Sequence, residues 1–400
     1  MKNSLLYIGL IFIAFDLSGQ KYVNLYLKGT AELSFNRYDS AIIYLTGAIK
    51  SDPLKVNFYL KRGEAYYKSE KYTEAINDFS YANQLKDNIA DLWLAKTYAR
   101  MGNTVESVSM LKKHLNSEYR EPEKTIKSDE AFDEVQYSDE WFLLWQQEWY
   151  TEEEKLSKDI DYLQRKKEYL EALNLIDSKL ANSSKSEILF TYRAKISVLQ
   201  GNYKAAAMDL TNAIEKNKDN PNYYKERGIA YMNTGKFKEA VGDFSKALKL
   251  EPSDFNTYIL RGKAYNEAKD FSSAEKDIST YLDYFPEDQS AINLAGELCY
   301  SNQNYIGALK YFNKNLRLDG TRADYFKARG KTYLRIKMNK YAFDDLSMAL
   351  DLNPDDGETW YYKGLVRFQS GDKQGACDDW NKALKKGYTN AVEEIIKNCQ

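Results

Sequence analysis

Apolar residues recur along most of this chain at helical spacing, and the pattern comes in blocks that repeat. Three stretches show it: "YLKRGEAYYKSEKYTEAINDFSYANQL" from Tyr59, "YYKERGIAYMNTGKFKEAVGDFSKALKLEP" from Tyr223 and "YILRGKAYNEAKDFSSAEKDISTYLDYFP" from Tyr258. In each, a Gly stands early, an aromatic residue follows nine positions later, Ala three after that, and Phe or Ile four further on. The blocks return about every 34 residues, a period that marks stacked repeats rather than one globular core. Only six prolines are present, so helices can run unbroken.

These residues resemble the tetratricopeptide repeat, a helix-turn-helix unit of about 34 residues. Matched to that pattern, the eighth position holds Gly29, Gly63, Ala95, Ala194, Gly228, Gly262, Gly296, Gly330 and Gly364. The twentieth holds Ala41, Ala75, Ser107, Ala206, Ala240, Ala274, Ala308, Ala342 and Ala376. Pro53, Pro252, Pro286 and Pro354 close four of the units, and a tenth, degenerate unit is expected around Tyr169 and Ala172. Small residues at these two positions let the helices of a hairpin approach closely, and the aromatics fill the space between repeats. A lone unit cannot bury its apolar face, so stability comes from stacking.

The resemblance implies an all-α fold: a right-handed superhelical solenoid of about nine to ten helix-turn-helix units with a C-terminal capping helix. The expected organisation is a signal peptide at 1–19, an N-terminal repeat block at 20–115, a Trp-rich helical insert at 116–160, a second block at 161–390 and a capping helix at 391–400. Comparing the units exposes a second regularity. Arg62, Arg193, Arg227, Arg261 and Arg329 stand at the seventh position, and sixteen residues later come Asp78, Asp209, Asp243, Asp277 and Asp345. Lys363 and Asp379 keep the spacing, and Lys28 with Tyr44 keeps half of it. A partly desolvated ion pair across each hairpin is expected, fixing geometry more than adding stability.

The insert breaks the repeat. In "REPEKTIKSDEAFDEVQYSDEWFLLWQQEWYTEEE", Trp141, Trp145 and Trp149 fall at steps of four and should share one helical face. They either plug the joint between the repeat blocks or form an interface patch, since Trp is enriched at interface hot spots. Asp129, Glu130, Asp133 and Glu134 lack the glycine and alternating spacing of a calcium loop.

Composition narrows the function. The repeat positions explain most of the 34 tyrosines, and the net charge of −2 gives no basic face for nucleic acid. The opening "MKNSLLYIGLIFIAFDLSGQ" has too short an apolar run to span a bilayer, which takes about 20 residues, and reads as a secretory signal cleaved after Gly19. No other segment is apolar enough to cross a membrane. The mature chain is expected to be exported, to the periplasm, the outer membrane or the cell surface, where disulfides persist.

An enzyme finds little support. The one histidine, His114, sits at a structural position of the third unit, and no nucleophile accompanies it. Gly330-Lys331-Thr332 lacks the earlier glycine of a phosphate loop. No cofactor or metal is expected. An exported enzyme or carbohydrate-processing protein with a repeat body, its cleft at the Trp-rich insert, is the alternative. The favoured function is a protein-interaction scaffold. Family members hold a partner peptide or helix in a groove lined by the first helices. Carried onto this sequence, that groove includes Asn222, Asn256, Asn293, Tyr300, Tyr361 and Phe368, and a basic stripe of Lys225, Lys263, Lys327, Lys331 and Arg335 that would favour an acidic ligand.

Cys377 follows the small residue of the last unit, on the side that faces the next helix. Cys399 ends that next, capping helix. They lie about ten and twelve residues from the intervening turn on antiparallel helices, at about 1.5 Å per residue, and should meet as a disulfide. The ending "GACDDW…C" also looks like the last repeat of exported tetratricopeptide proteins of Bacteroidetes. Cys299 is expected to be a buried free thiol.

Overall fold

The computed structural model describes residues 23–182 and 186–399; the expected signal peptide lies outside the described residues. The described chain is helical throughout. Antiparallel hairpins follow one another: α1 (23–34) with α2 (Tyr38–Ser51), α3 (Val56–Lys68) with α4 (Tyr72–Leu85), and α5 (Asp91–Arg100) with α6 (Thr104–Leu115). The insert carries two short helices, α7 (Glu123–Lys127) and α8 (Asp139–Trp145), with two 3-10 turns between them. Then come α9 (Glu152–Lys166) with α10 (Tyr169–Asn182), α11 (Glu187–Leu199) with α12 (Tyr203–Lys216), and α13 (Pro221–Asn233) with α14 (Phe237–Leu250). The last hairpins are α15 (Phe255–Glu267) with α16 (Phe271–Tyr284), α17 (Gln289–Ser301) with α18 (Tyr305–Leu318), α19 (Ala323–Arg335) with α20 (Asn339–Leu352), and α21 (Gly357–Gln369) with α22 (Lys373–Lys385), closed by α23 (Ala391–Asn398). This is an all-α solenoid.

The chain forms two compact units. Among the described residues, unit 1 runs to Tyr223 and includes Glu251–Ser253, and unit 2 holds Tyr224–Leu250 with the residues from Asp254 onward. The division falls inside α13, not at the insert. The degenerate hairpin begins at Glu152, so the insert yields to repeat structure before 160, where the sequence placed its end. Thr151 starts α9 with a capping box closed by Glu154, a local signal that overrides the lost repeat pattern.

The hairpins close through one recurring contact. The eighth-position residue lies against the side chain sixteen residues later on the partner helix. A Cβ built on Gly296 would sit 2.4 Å from the Phe312 ring, and one on Gly63 would sit 2.6 Å from Phe79. The same holds for Gly228 with Phe244 at 2.7 Å and Gly364 with the Trp380 indole at 2.5 Å. Where the eighth residue is Ala95 or Ala194, the residue sixteen later is Leu111 or Leu210, both fully buried. Glycine is thus required wherever an aromatic ring crosses.

Five arginines staple the hairpins. Arg62 donates from Nε and Nη2 to Asp78 at 2.8 and 2.7 Å, and Arg261 to Asp277 at 2.7 Å from both atoms. Arg193, Arg227 and Arg329 make the same fork to Asp209, Asp243 and Asp345. The hydrogen bonds they donate to Asp243 and Asp345 hold Arg227 and Arg329 above their ordinary pKa. The free guanidinium nitrogen then reaches sixteen residues back: Arg62 to Thr46 at 3.1 Å, Arg193 to Asp177 at 2.7 Å, Arg261 to Ser245 at 3.1 Å and Arg329 to Asn313 at 2.7 Å. In four of the five, aromatics three before and four after the arginine flank its cation, as Tyr59 and Tyr66 do at 5.8 Å from Arg62, while Arg193 has only Phe190. Lys28 keeps half of this arrangement, its ammonium 5.9 Å from the Tyr44 ring centre.

The expected Lys363–Asp379 pair does not form. Lys363 lies over the Phe343 and Trp360 rings at 5.0 and 5.2 Å, and burial lowers its pKa. Arg367, one turn on, brings Nε to 3.2 Å from the buried Asp379, short of hydrogen-bond geometry. A lysine carries a single point charge and no fork, so it cannot make the two parallel bonds the other hairpins use.

At the C-terminus, α23 packs on α22 over Ala376, Trp380, Ala383 and Ala391. Cys377 and Cys399 are disulfide-bonded with their Cα atoms 5.7 Å apart. Cys299 is a buried free thiol, pushed up to about 11 by burial and then by Glu275.

Two outcomes follow from this packing. Gly296→Ala should cost about 1–3 kcal/mol by overpacking. Adding Phe312→Leu should return part of that loss, because it recreates the Ala–Leu pair of the third hairpin. Urea unfolding of both single variants and the double variant reads the coupling, and strictly additive effects would contradict the contact. Reducing the Cys377–Cys399 bond opens a loop of 22 residues. It should weaken the last hairpin by about 3 kcal/mol in the chain-entropy model. Faster amide exchange in α22 and α23 under dithiothreitol, with α15 and α16 unchanged, is the expected signature.

Candidate functional site

In unit 2, the first helices α15, α17, α19 and α21 present one row of side chains each to a common furrow. Two adjoining clefts, of about 380 and 430 Å³, share Asn293, Glu297 and Asp324. Asn256, Ile259 and Lys263 line one end, and Tyr300, Lys327, Lys331 and Glu358 line the other. The repeat period makes this row. Equivalent positions of successive first helices point the same way, so polar residues left out of the core converge there.

The basic stripe expected from sequence is mostly neutralised inside the protein. Lys327 Nζ lies 2.9 Å from both Asp356 and Glu358, and Lys331 Nζ lies 2.8 Å from Glu358. Burial pulls both lysines down, but their acidic partners outweigh it and raise them, and the two lysines hold Glu358 low against its own burial. Lys225 pairs with Asp254 at 2.8 Å, and Arg335 donates to the Tyr300 hydroxyl at 2.9 Å. Of the five, Lys263 and Arg335 have no ion pair among the described residues. Two features hid this from the sequence. Asp356 is the N-cap of α21, accepting from the Glu358 and Thr359 amides, and Glu358 lies in its first turn. Both belong to the next repeat, about thirty residues from the lysines they neutralise. An Asp-x-Glu at the start of a following unit was the available signal.

Tyr361 and Phe368 serve the C-terminal core instead of the furrow. Phe368 packs on Trp380 with ring centres 5.6 Å apart, and Tyr361 packs on Tyr388 at 5.2 Å. Both rings pack against the cluster that α22 and α23 form around Trp380.

In unit 1 the three tryptophans are not on one helix. Trp141 and Trp145 belong to α8, but the helix ends there, and Trp149 follows it in irregular chain. The Trp149 indole turns back to donate to the Leu144 carbonyl at 2.8 Å, so it satisfies the end of α8. All three pack with Phe132, Leu111 and Leu115 on the third hairpin, Trp141 being buried. His114 joins this core. It is 2% exposed, and its Nε2 accepts from the Glu121 amide at 2.9 Å. Burial, and then the charge of Lys96, lower its pKa to about 4. Asp129, one of the acids considered for catalysis, caps a 3-10 turn and pairs with Lys96 at 2.6 Å.

These features define a class of protein: an α-solenoid whose helical hairpins expose a ligand-sized polar furrow on their first helices. The chain carries tetratricopeptide repeats. The family's profiles match residues 221–254, 26–88 and 259–323. Among solved structures, a tetratricopeptide repeat protein from Parabacteroides merdae superposes with a TM-score of 0.50 at 19% identity, covering 61% of this chain and 97% of that one. Hsc70-interacting protein 1 of Drosophila melanogaster is 26% identical over 98 residues, 24% of this chain and 26% of its own. The repeat-containing thioredoxin TDX of Arabidopsis thaliana is 23% identical over 100 residues, 25% of this chain and 26% of its own. The chain thus spans about a quarter of the length of these curated relatives.

His114 gives a pH signature. The unfolded chain protonates it near pH 6.5 and the folded chain near 4, so between these values the unfolded state binds more protons. Stability should therefore fall as the pH drops from about 6.5 to 4, by an amount on the order of 2–3 kcal/mol. His114→Gln should flatten that fall in urea titrations followed by tryptophan fluorescence. Identical pH profiles for the two proteins would contradict it.

Proposed function

We propose that this protein is a non-enzymatic interaction scaffold that holds a partner polypeptide in the furrow of unit 2. The single observation behind this reading is the continuity of the two clefts across four successive first helices, sharing Asn293, Glu297 and Asp324. A furrow of this kind suits an extended chain, which can present backbone amides along its whole length. The Asn256 and Asn293 side chains carry both donor and acceptor groups for such a backbone. Because Lys327, Lys331 and Lys225 already have acidic partners, the ligand is a mixed or neutral segment rather than a purely acidic tail.

The place of action we infer is the bacterial cell envelope, in the periplasm, at the outer membrane or on the cell surface. Two features support it: the apolar, signal-like start of the sequence and a disulfide of the kind favoured outside reducing compartments. No helix of the described residues is long and apolar enough to cross a membrane.

The test is site-specific photocrosslinking in envelope fractions, with the crosslinker at Tyr300. A discrete adduct is expected, mapping to one segment of one partner. Asn256→Ala with Asn293→Ala should lower partner affinity about tenfold, the loss of roughly 1.4 kcal/mol of backbone hydrogen bonding, while unit 2 melts as before. Equal capture by the doubly substituted protein would overturn the furrow as the site. A mature N-terminus other than Gln20 in the exported fraction would count against the inferred signal peptide.

A further inference from the structure

We propose that unit 1 carries a second binding site, a cation-lined cleft between the insert, α9 and α11 that takes an acidic peptide segment bearing an apolar side chain. The cleft measures about 830 Å³, larger than either part of the furrow in unit 2. That volume lies within the range of about 300–1,000 Å³ typical of ligand pockets.

Its charge is one-sided. Arg120, Lys124, Lys127, Lys155, Lys158 and Arg165 line it, against Glu123, Glu154 and Asp161. Lys155 is paired outside the lining, with Glu152 at 2.8 Å and Glu148 at 3.6 Å, and the lining carboxylates are engaged where they meet cations. Glu123 alone serves both Lys127 and Lys158, each at 2.7 Å, which leaves that trio positive. Glu154 is held by a two-pronged bond from Arg120 at 2.7 and 2.8 Å. Lys124 and Arg165 are exposed and make no ion pair among the described residues. A cleft of one sign with low-dielectric walls concentrates ligands of the other sign, and here it does so on a chain whose net charge is −2.

Two further features select the class of anion. Pro122, Tyr150, Ile188 and Tyr192 give the cleft apolar surface, so a bare inorganic ion would leave most of it unfilled. The cations of α9 run from Lys155 to Arg165, about 15 Å along the helix at 1.5 Å per residue. A ligand matching them needs several carboxylates spaced along an extended body, as an acidic peptide of four or five residues has. The cleft is also preformed. The Arg120–Glu154 fork and the Tyr150 hydroxyl, which donates to the Glu121 carbonyl at 2.8 Å, tie the insert to the start of α9.

Fluorescence anisotropy on the full mature chain tests this, using a fluorescein-labelled peptide EDLFEE and the controls KKLFKK and EDGSEE, with citrate as competitor. EDLFEE should bind saturably and weaken as salt rises. KKLFKK should not bind, and EDGSEE should bind about tenfold more weakly. Lys124→Glu with Arg165→Glu should weaken EDLFEE at least about tenfold, and Lys124→Gln with Arg165→Gln should do so by less, with unchanged circular dichroism. No saturable binding of EDLFEE, equal binding of KKLFKK, full displacement by citrate as effective as the peptide itself, or indifference to both double variants would each overturn the proposal. Because the furrow variants lie in unit 2, their outcome is independent of this one.

Discussion

The contact between the eighth residue of each hairpin and the side chain sixteen residues later sets everything else in this fold. Two helices can close only as far as their bulkiest crossing allows. Here the first helix gives up its side chain so that the second can lay a ring across its backbone. Phe79, Phe244, Phe312 and Trp380 are fully buried as a result, each worth roughly 1.5–3 kcal/mol relative to exposure. Ala95 and Ala194 tolerate a Cβ because they face leucines, which can turn aside where a ring cannot. The pairing is a volume constraint shared between two helices, and it explains why the glycine varies only together with its partner.

Once the helices are close, the arginine at the seventh position falls beside the second helix. Its guanidinium has a fork for the aspartate of its own hairpin and one nitrogen left for the hairpin before it. That third bond turns an intra-hairpin pair into a link between neighbours, so the charge fixes the step from one repeat to the next. Its net energy is small, because both partners are largely desolvated. What it contributes is register, held by directional bonds and the flanking rings. The last repeat shows the requirement by exception. With Lys363 in place of arginine, the step has no fork, Asp379 stays buried without a hydrogen bond, and burial raises its pKa. That repeat has the disulfide and the capping helix instead.

Much of the fold was legible because it is periodic. Gly-and-Ala spacing, the Arg–Asp interval and the cysteine arithmetic all depend on residues within one hairpin or its immediate cap, where sequence distance and spatial distance correspond. The failures share a cause. Trp149 keeps a helical interval from Trp145, but α8 stops first, and nothing local announces the stop. The hairpin turns keep a left-handed residue even at Lys269, Gln303 and Lys337, where the glycine of the turns at Gly201 and Gly235 is missing. Tertiary closure imposes that backbone against a penalty of about 1–2 kcal/mol. The charged furrow and the cation-lined cleft were misread or missed because their electrostatics depend on residues about thirty positions apart.

The neutralised lysines also determine what the furrow can discriminate. Asp356 and Glu358 lie between Lys327 and Lys331 as built-in competitors. An acidic ligand would have to displace Glu358 from two ammonium groups and leave a half-buried carboxylate unpaired, which costs more than the new pair returns. A ligand that offers backbone amides disturbs none of these bonds and meets Asn256, Asn293 and Tyr300 directly. The internal pairs therefore act as a filter against highly charged chains, in the way specificity is often achieved, by raising the cost of the wrong partner. The cleft of unit 1 lacks such competitors at Lys124 and Arg165. The two proposed sites thus differ in charge preference, mixed or neutral segments in the furrow and acidic ones in the cleft, because the lysines of one are already paired and Lys124 and Arg165 of the other are not.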